Sequence, residues 1–91
     1  MMTPEKIIQF TCKEFNIKTK DLLGKSRVQY LVDIRSVLVK RLLKWAGMSF
    51  ASIGQILDRH FQVIMNLDKR NIKTKFIKDN LKKLLTHDNN L

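Results

Sequence analysis

Apolar residues recur every three or four positions through most of the chain, the period of helices that turn one face inward. The first such run, Pro4 to Phe15, sets Ile7, Ile8, Cys12 and Phe15 on one face, with Phe10 or Thr11 at its edge. Thr3-Pro4-Glu5 is a helix start: a capping threonine, a proline at the first helical position and an acid in the first turn. Asn16 ends the run, and Ile17-Lys18-Thr19 is a short connection. Thr19 is then expected to cap a single turn, Lys20–Leu23, that anchors Leu22 and Leu23 and stops at Gly24. A long helix follows, about Val28 to Ala46. Its polar positions, Gln29, Asp33, Ser36, Lys40 and Lys44, form one narrow stripe. The rest of its perimeter is largely apolar, from Leu31 and Val32 to Leu43 and Trp45. This pattern predicts a central helix that others surround, wet only along the stripe. Arg35 interrupts the apolar arc. Two readings stand: a guanidinium that snorkels or pairs with a carboxylate, or one aimed across the packing surface at a ligand phosphate or base.

Gly47 closes the long helix, and Ser49 caps the next segment. Phe50, Ile53, Ile56 and Leu57 form its inner stripe, and Asp58-Arg59 is a short turn. The helix after the turn puts Val63, Ile64 and Leu67 on one face and Gln62, Asn66 and Lys69 on the other. Ser49–Arg70 therefore has the layout of a helix-turn-helix, whose second helix enters the major groove of DNA. Beyond it, Phe76, Ile77, Leu81, Leu84 and Leu85 give the stripe of a last helix, about Thr74 to Leu85, rich in lysine. The predicted class is all-α: a small helical domain with a long central helix, occupying the whole chain as one domain.

Charge narrows the partners. Eighteen Lys and Arg against eight Asp and Glu give +10 over 91 residues. Such a surface attracts polyanions, nucleic acid foremost. No apolar run approaches the ~20 residues of a membrane span, so no membrane role is expected. The lone Cys12 fits a buried thiol in a reducing cytoplasm. Gly24-Lys25-Ser26 has the ending of a phosphate loop but lacks the earlier glycine and the preceding strand, so no nucleotide or other cofactor is expected. His60 and His87 have no neighbours at metal-ligand spacing, and no nucleophile sits beside a base. The chain is read as a non-enzyme.

Taken together, T-P-E-K-I-I, then F-N-I-K-T-K-D-L-L-G-K-S-R ending at Arg27, the spacing from Arg27 to Arg35, and S-F-A-S-I-G at Ser49–Gly54 resemble a known family. It is the C-terminal DNA-binding domain of the bacterial chromosomal replication initiator DnaA. The resemblance covers about Thr3–Leu85 and is most specific over Phe15–Gly54. It implies a Trp-repressor-like helix-turn-helix fold that binds a short box on duplex DNA in the bacterial nucleoid. It puts Arg27 at the position of the minor-groove arginine, Arg35 at that of a DNA-reaching arginine of the long helix, and Lys25 in the basic loop. The family's recognition motif R-D-H-[ST]-T-V is altered here to Asp58-Arg59-His60-Phe61-Gln62-Val63. Phenylalanine offers a thymine methyl only apolar contact and glutamine prefers adenine, so the family's base preference does not carry over.

The expected DNA contacts are therefore Arg59, His60, Phe61, Gln62 and Asn66 in the major groove and Arg27 in the minor groove. Lys25, Lys69, Arg70 and Lys73 are expected on phosphates, with Arg35 reaching the DNA from the long helix. The Met1 start and the fit of the sequence to one domain suggest a stand-alone protein without the initiator's ATPase, one that competes at initiator sites or regulates transcription. A rival reading is a protein-interaction adaptor using Phe61 and Met65. An RNA-binding reading has few stacking aromatics behind it.

Overall fold

Each helix forms where its sequence supplies a start, a stop and an apolar face. The computed structural model describes residues 2–70 and Ile72. Five helices and no strand are present among the described residues: α1 Pro4–Phe15, α2 Thr19–Leu22, α3 Gln29–Trp45, α4 Phe50–Leu57 and α5 Phe61–Lys69. The all-α expectation holds over these residues. The Thr3 hydroxyl accepts from Lys6 N–H at 3.3 Å, and Asn16 ends α1 in the left-handed region at φ 53°. Ser49 caps α4 by accepting from Ser52 N–H at 3.1 Å. Gly47, at φ 62°, turns the chain out of α3, a conformation that costs glycine little. The short α2 departs from expectation in one detail. Thr19 is its first residue rather than its cap, and its hydroxyl lies 3.7 Å from the buried Cys12 sulfur. The expected helix over 74–85 lies outside the described residues.

α3 is the central element. Ile34, Val37, Leu38, Val39 and Leu42 are fully buried, against Ile7 and Phe15 of α1, Leu22 of α2, Ile53 and Leu57 of α4, and Ile64 of α5. α5 packs on both α4 and α3. The apolar face of α5 is narrower than its sequence suggests: Ile64 and Leu67 are buried, but Val63 is 41% exposed.

The polar stripe of α3 is not uniformly wet. Gln29 and Lys44 are exposed, but Asp33 and Ser36 are fully buried beneath the end of α5. A helix leaves its last four carbonyls without intrahelical partners, and the stripe supplies donors for two of those of α5, Leu67 and Asp68. Ser36 Oγ donates to the Leu67 carbonyl at 2.6 Å, and Lys40 Nζ donates to the Asp68 carbonyl at 2.6 Å and to Ser36 Oγ at 2.9 Å. Arg70, the residue after α5, closes the junction by donating from Nε to Asp33 Oδ1 at 2.8 Å. Burial pushes the Lys40 ammonium below the ordinary lysine value, while the Asp68 carboxylate pulls it back up.

A second buried cation lies on the α1 side of α3. Arg41 is 3% exposed and meets Glu14 Oε2 at 2.7 Å and Thr11 Oγ1 at 3.0 Å. Its guanidinium carbon is 5.2 Å from the ring centres of both Phe10 and Trp45. Burial lowers its pKa, and the hydrogen bond and charge of Glu14 oppose the shift.

Candidate nucleic-acid interface

The turn between α4 and α5 is short because two residues reverse the chain. Asp58 takes the left-handed conformation at φ 53°, and Arg59 N–H returns to the Gly54 carbonyl at 2.8 Å. Gly54 is required by that reversal, since a Cβ there would stand 2.5 Å from the Arg59 carbonyl oxygen. His60 then caps α5, its Nδ1 accepting from Gln62 N–H at 3.1 Å. With Nδ1 engaged as acceptor, the neutral ring carries its proton on Nε2, which remains a donor. The His60 ring also stacks on Phe61, with centroids 4.4 Å apart.

Beyond the cap, α5 presents Phe61, Gln62, Val63, Asn66 and Lys69 to solvent. Gln62 Nε2 reaches Asn66 Oδ1 at 3.4 Å, which pre-orients two amides one turn apart. Phe61 is 47% exposed, so a large apolar ring stands beside those amides. Met65 is half-buried.

The loop before α3 lies next to this helix. Lys25, Ser26, Arg27, Val32, Arg35, Arg59, Val63 and Leu67 line one open cleft of about 330 Å³ between loop and α5. Lys25 and Arg27 are exposed. Lys25 has a loose surface pair with Asp58 at 3.8 Å, the kind of contact that contributes little. Arg27 has no hydrogen-bond or ion-pair partner among the described residues. The fold thus brings together the loop cations and the exposed face of α5, which the sequence separates by more than thirty residues.

Three of the expected DNA contacts are otherwise engaged. Arg35, expected to reach DNA, is 3% exposed; it donates from Nε to the Leu22 carbonyl at 2.7 Å, from a second nitrogen to Asp21 at 3.0 Å and from the third to Ser26. Burial lowers its pKa, and the nearby Arg59 charge adds to the effect. Arg59, expected to read bases, is half-buried and donates to the carbonyls of Leu57, at 2.7 Å, and Gly24. Arg70, expected on a phosphate, is paired with the buried Asp33. For Arg35 and Arg59 the reason is shared: loop and helix-end carbonyls within reach need donors, and arginine offers five in a fixed fork. Arg70 instead answers the buried Asp33 carboxylate, which needs a counter-charge. His60, Phe61, Gln62, Asn66 and Lys69 are exposed as an interface would need. Lys73 lies outside the described residues. The roles of Ser36, Lys40 and Asp33 in holding α5 were not anticipated; the only signal was that the polar stripe of α3 includes a serine and an acid among its lysines.

A sequence profile of the bacterial DnaA protein helix-turn-helix matches residues 4–70, the span of all five helices. The chain belongs to this family. Similar relatives include the chromosomal replication initiator protein DnaA 2 of Protochlamydia amoebophila, 29% identical over 65 residues and 71% of the chain. The chromosomal replication initiator protein DnaA of Cutibacterium acnes is 33% identical over 70 residues, 76% of the chain. In each case the match spans only 14% of the relative's length. No solved structure matches the chain significantly. Among the described residues of this DnaA-family helix-turn-helix, no cluster of His, Cys, Asp or Glu is placed to hold a metal ion, and no helix is long and apolar enough to cross a membrane.

Proposed function

We propose that the chain binds duplex DNA with sequence preference. The observation that carries this reading is the cleft itself: an exposed Arg27, without a partner among the described residues, and an exposed Lys25 stand beside the solvent-facing side of α5. Phosphates meet Lys25 and Lys69 and set the register. Gln62, Asn66, His60 and Phe61 face base edges in the major groove, and Arg27 enters the adjacent minor groove, where negative potential attracts it. The role is that of a DNA-reading module of the initiator family, which competes at initiator sites or regulates transcription. It performs no chemistry of its own.

Salt-titrated binding to random duplex DNA tests the reading. Micromolar or tighter binding with a steep dependence on salt is expected, and no binding at low salt would overturn it. Selection from random duplexes then recovers the preferred box. The exposure of Phe61 and Val63 favours one rival, a partner protein seated on α5. Under that rival, Phe61→Ala leaves DNA affinity unchanged.

A further inference from the structure

The Gly24–Val28 stretch has little backbone bonding of its own. Gly24 N–H reaches the Asp21 carbonyl at 3.4 Å, and Val28 N–H reaches the Ser26 hydroxyl at 3.3 Å. Two guanidiniums hold it in place of a regular hydrogen-bond ladder. Arg35 takes the carbonyls of Asp21, Leu22 and Ser26 and so ties the loop to α3. Arg59 takes the carbonyl of Gly24, 35 residues away in sequence, and that of Leu57 at the end of α4. Besides the loose, solvent-exposed Lys25–Asp58 pair at 3.8 Å, Arg59 alone among the described residues joins the loop to the turn that starts α5. Its fork is bound at both ends, and its side chain borders two clefts, the one beneath Arg27 and the one beside His60 and Phe61.

We infer that Arg59 is a positioning residue, one that locks the Gly24–Arg27 loop to the α4–α5 turn so that Arg27 and the start of α5 meet DNA as one rigid unit. The inference rests on the duplex-DNA reading above, and it gives Arg59 a role through Arg27 rather than a base contact. The geometry needs arginine in particular. A lysine keeps the charge but presents a single nitrogen, which cannot bridge two carbonyls as a planar fork does. Two groove contacts made by one rigid body incur a single ordering cost; on a loose loop, Arg27 would incur its own. Holding Arg59 and Arg35 together sets two like charges beside one cleft, and phosphodiester charge is the natural counterweight.

The test has one arm without DNA and one with it. In the free protein, Arg59→Lys should speed amide hydrogen exchange at Gly24 and Val28, the loop amides that have acceptors, by about tenfold or more, with protection in the middle of α3 unchanged. The second arm uses two duplexes of equal length, one A·T-rich with a narrow minor groove and one G·C-rich. Arg27→Ala should abolish most of the preference for the A·T-rich duplex, about tenfold. Arg59→Lys should abolish the same preference with affinity for the G·C-rich duplex retained, and the two changes combined should add little to either alone. Arg59→Gln, which removes the charge as well, should free the loop equally and serves if the lysine variant folds poorly. Unchanged loop exchange in both variants overturns the brace. Additive losses from Arg27→Ala and Arg59→Lys overturn the coupling and return Arg59 to a direct contact. A wild-type chain that binds neither duplex overturns the DNA reading and the coupling with it, while the exchange arm still decides separately whether the brace exists.

Discussion

Arginine does three different jobs within a few turns of this chain, and the environment of each determines the effect of removing it. Arg41 is enclosed by Phe10, Trp45 and Phe15 and paired with Glu14. Removing only its partner leaves a buried charge, so Glu14→Ala should cost on the order of 3 kcal/mol in urea unfolding. The double change Glu14→Ala, Arg41→Met should recover most of that loss, since an apolar side chain of similar volume needs no counter-ion. Arg35 serves carbonyls; Arg27 has neither counter-ion nor carbonyl among the described residues, and the DNA reading proposed above gives it a ligand. Arg27→Ala and Gln62→Ala should therefore leave the unfolding midpoint in place and each cost about 1–3 kcal/mol of binding to a selected box. Equal losses on all duplexes would count against base reading. The sequence marks Arg35 as out of place on an apolar arc but cannot show what answers it. Its acceptors are backbone carbonyls, and carbonyls carry no sequence signature. Arg41 is harder still to see, because Glu14 and two of the three rings around it, Phe10 and Phe15, come from α1.

At the scale of an element, α5 is held at both ends, and each hold has its own test. At its start, the close approach of the Arg59 carbonyl to Gly54 means that Gly54→Ala must push backbone against backbone. A loss of about 1–3 kcal/mol is expected in urea unfolding, the usual cost of overpacking. At its end, Lys40 caps the carbonyl of Asp68 from a partly buried position. Because burial lowers its pKa, the folded protein binds fewer protons there than the unfolded chain once pH exceeds the folded value. Stability attributable to Lys40 therefore rises with pH through that window, up to the ordinary lysine pKa of about 10.4. The stability difference between the wild type and Lys40→Met should shift in favour of the wild type as pH increases from neutral toward that value. A flat or opposite trend would show that Lys40 is not desolvated in solution. The helix boundaries were legible in the sequence since caps, glycines and periodicity are local signals: Thr3, Asn16, Gly47 and Ser49 mark them directly. The burial of Asp33 and Ser36 was not. Periodicity shows which positions are polar, but not whether water or the end of another helix satisfies them.

Across the whole molecule, net charge and charge placement make different predictions. A chain of +10 attracts DNA from every side if the charge acts in bulk. The structure instead puts Lys25 and Arg27 beside α5, with Lys69 one turn beyond Asn66 on the exposed side of that helix. Lys13, equally exposed, lies elsewhere, next to Phe10 and Glu14. Lys25→Ala, Lys69→Ala and Lys13→Ala each remove one charge, so bulk attraction weakens equally in all three. A bound face behaves otherwise. Each phosphate contact adds about 0.9 to the magnitude of the slope of log K against log salt. Lys25→Ala and Lys69→Ala should each flatten that slope by about 1, measured on random duplex DNA, while Lys13→Ala leaves it unchanged. If all three variants shift the curve alike, the attraction belongs to the net charge, and the cleft between loop and α5 has no special part in it. If only the first two flatten the slope, the fold has gathered a few of eighteen cations into one binding face, and residues distant in sequence act on DNA together.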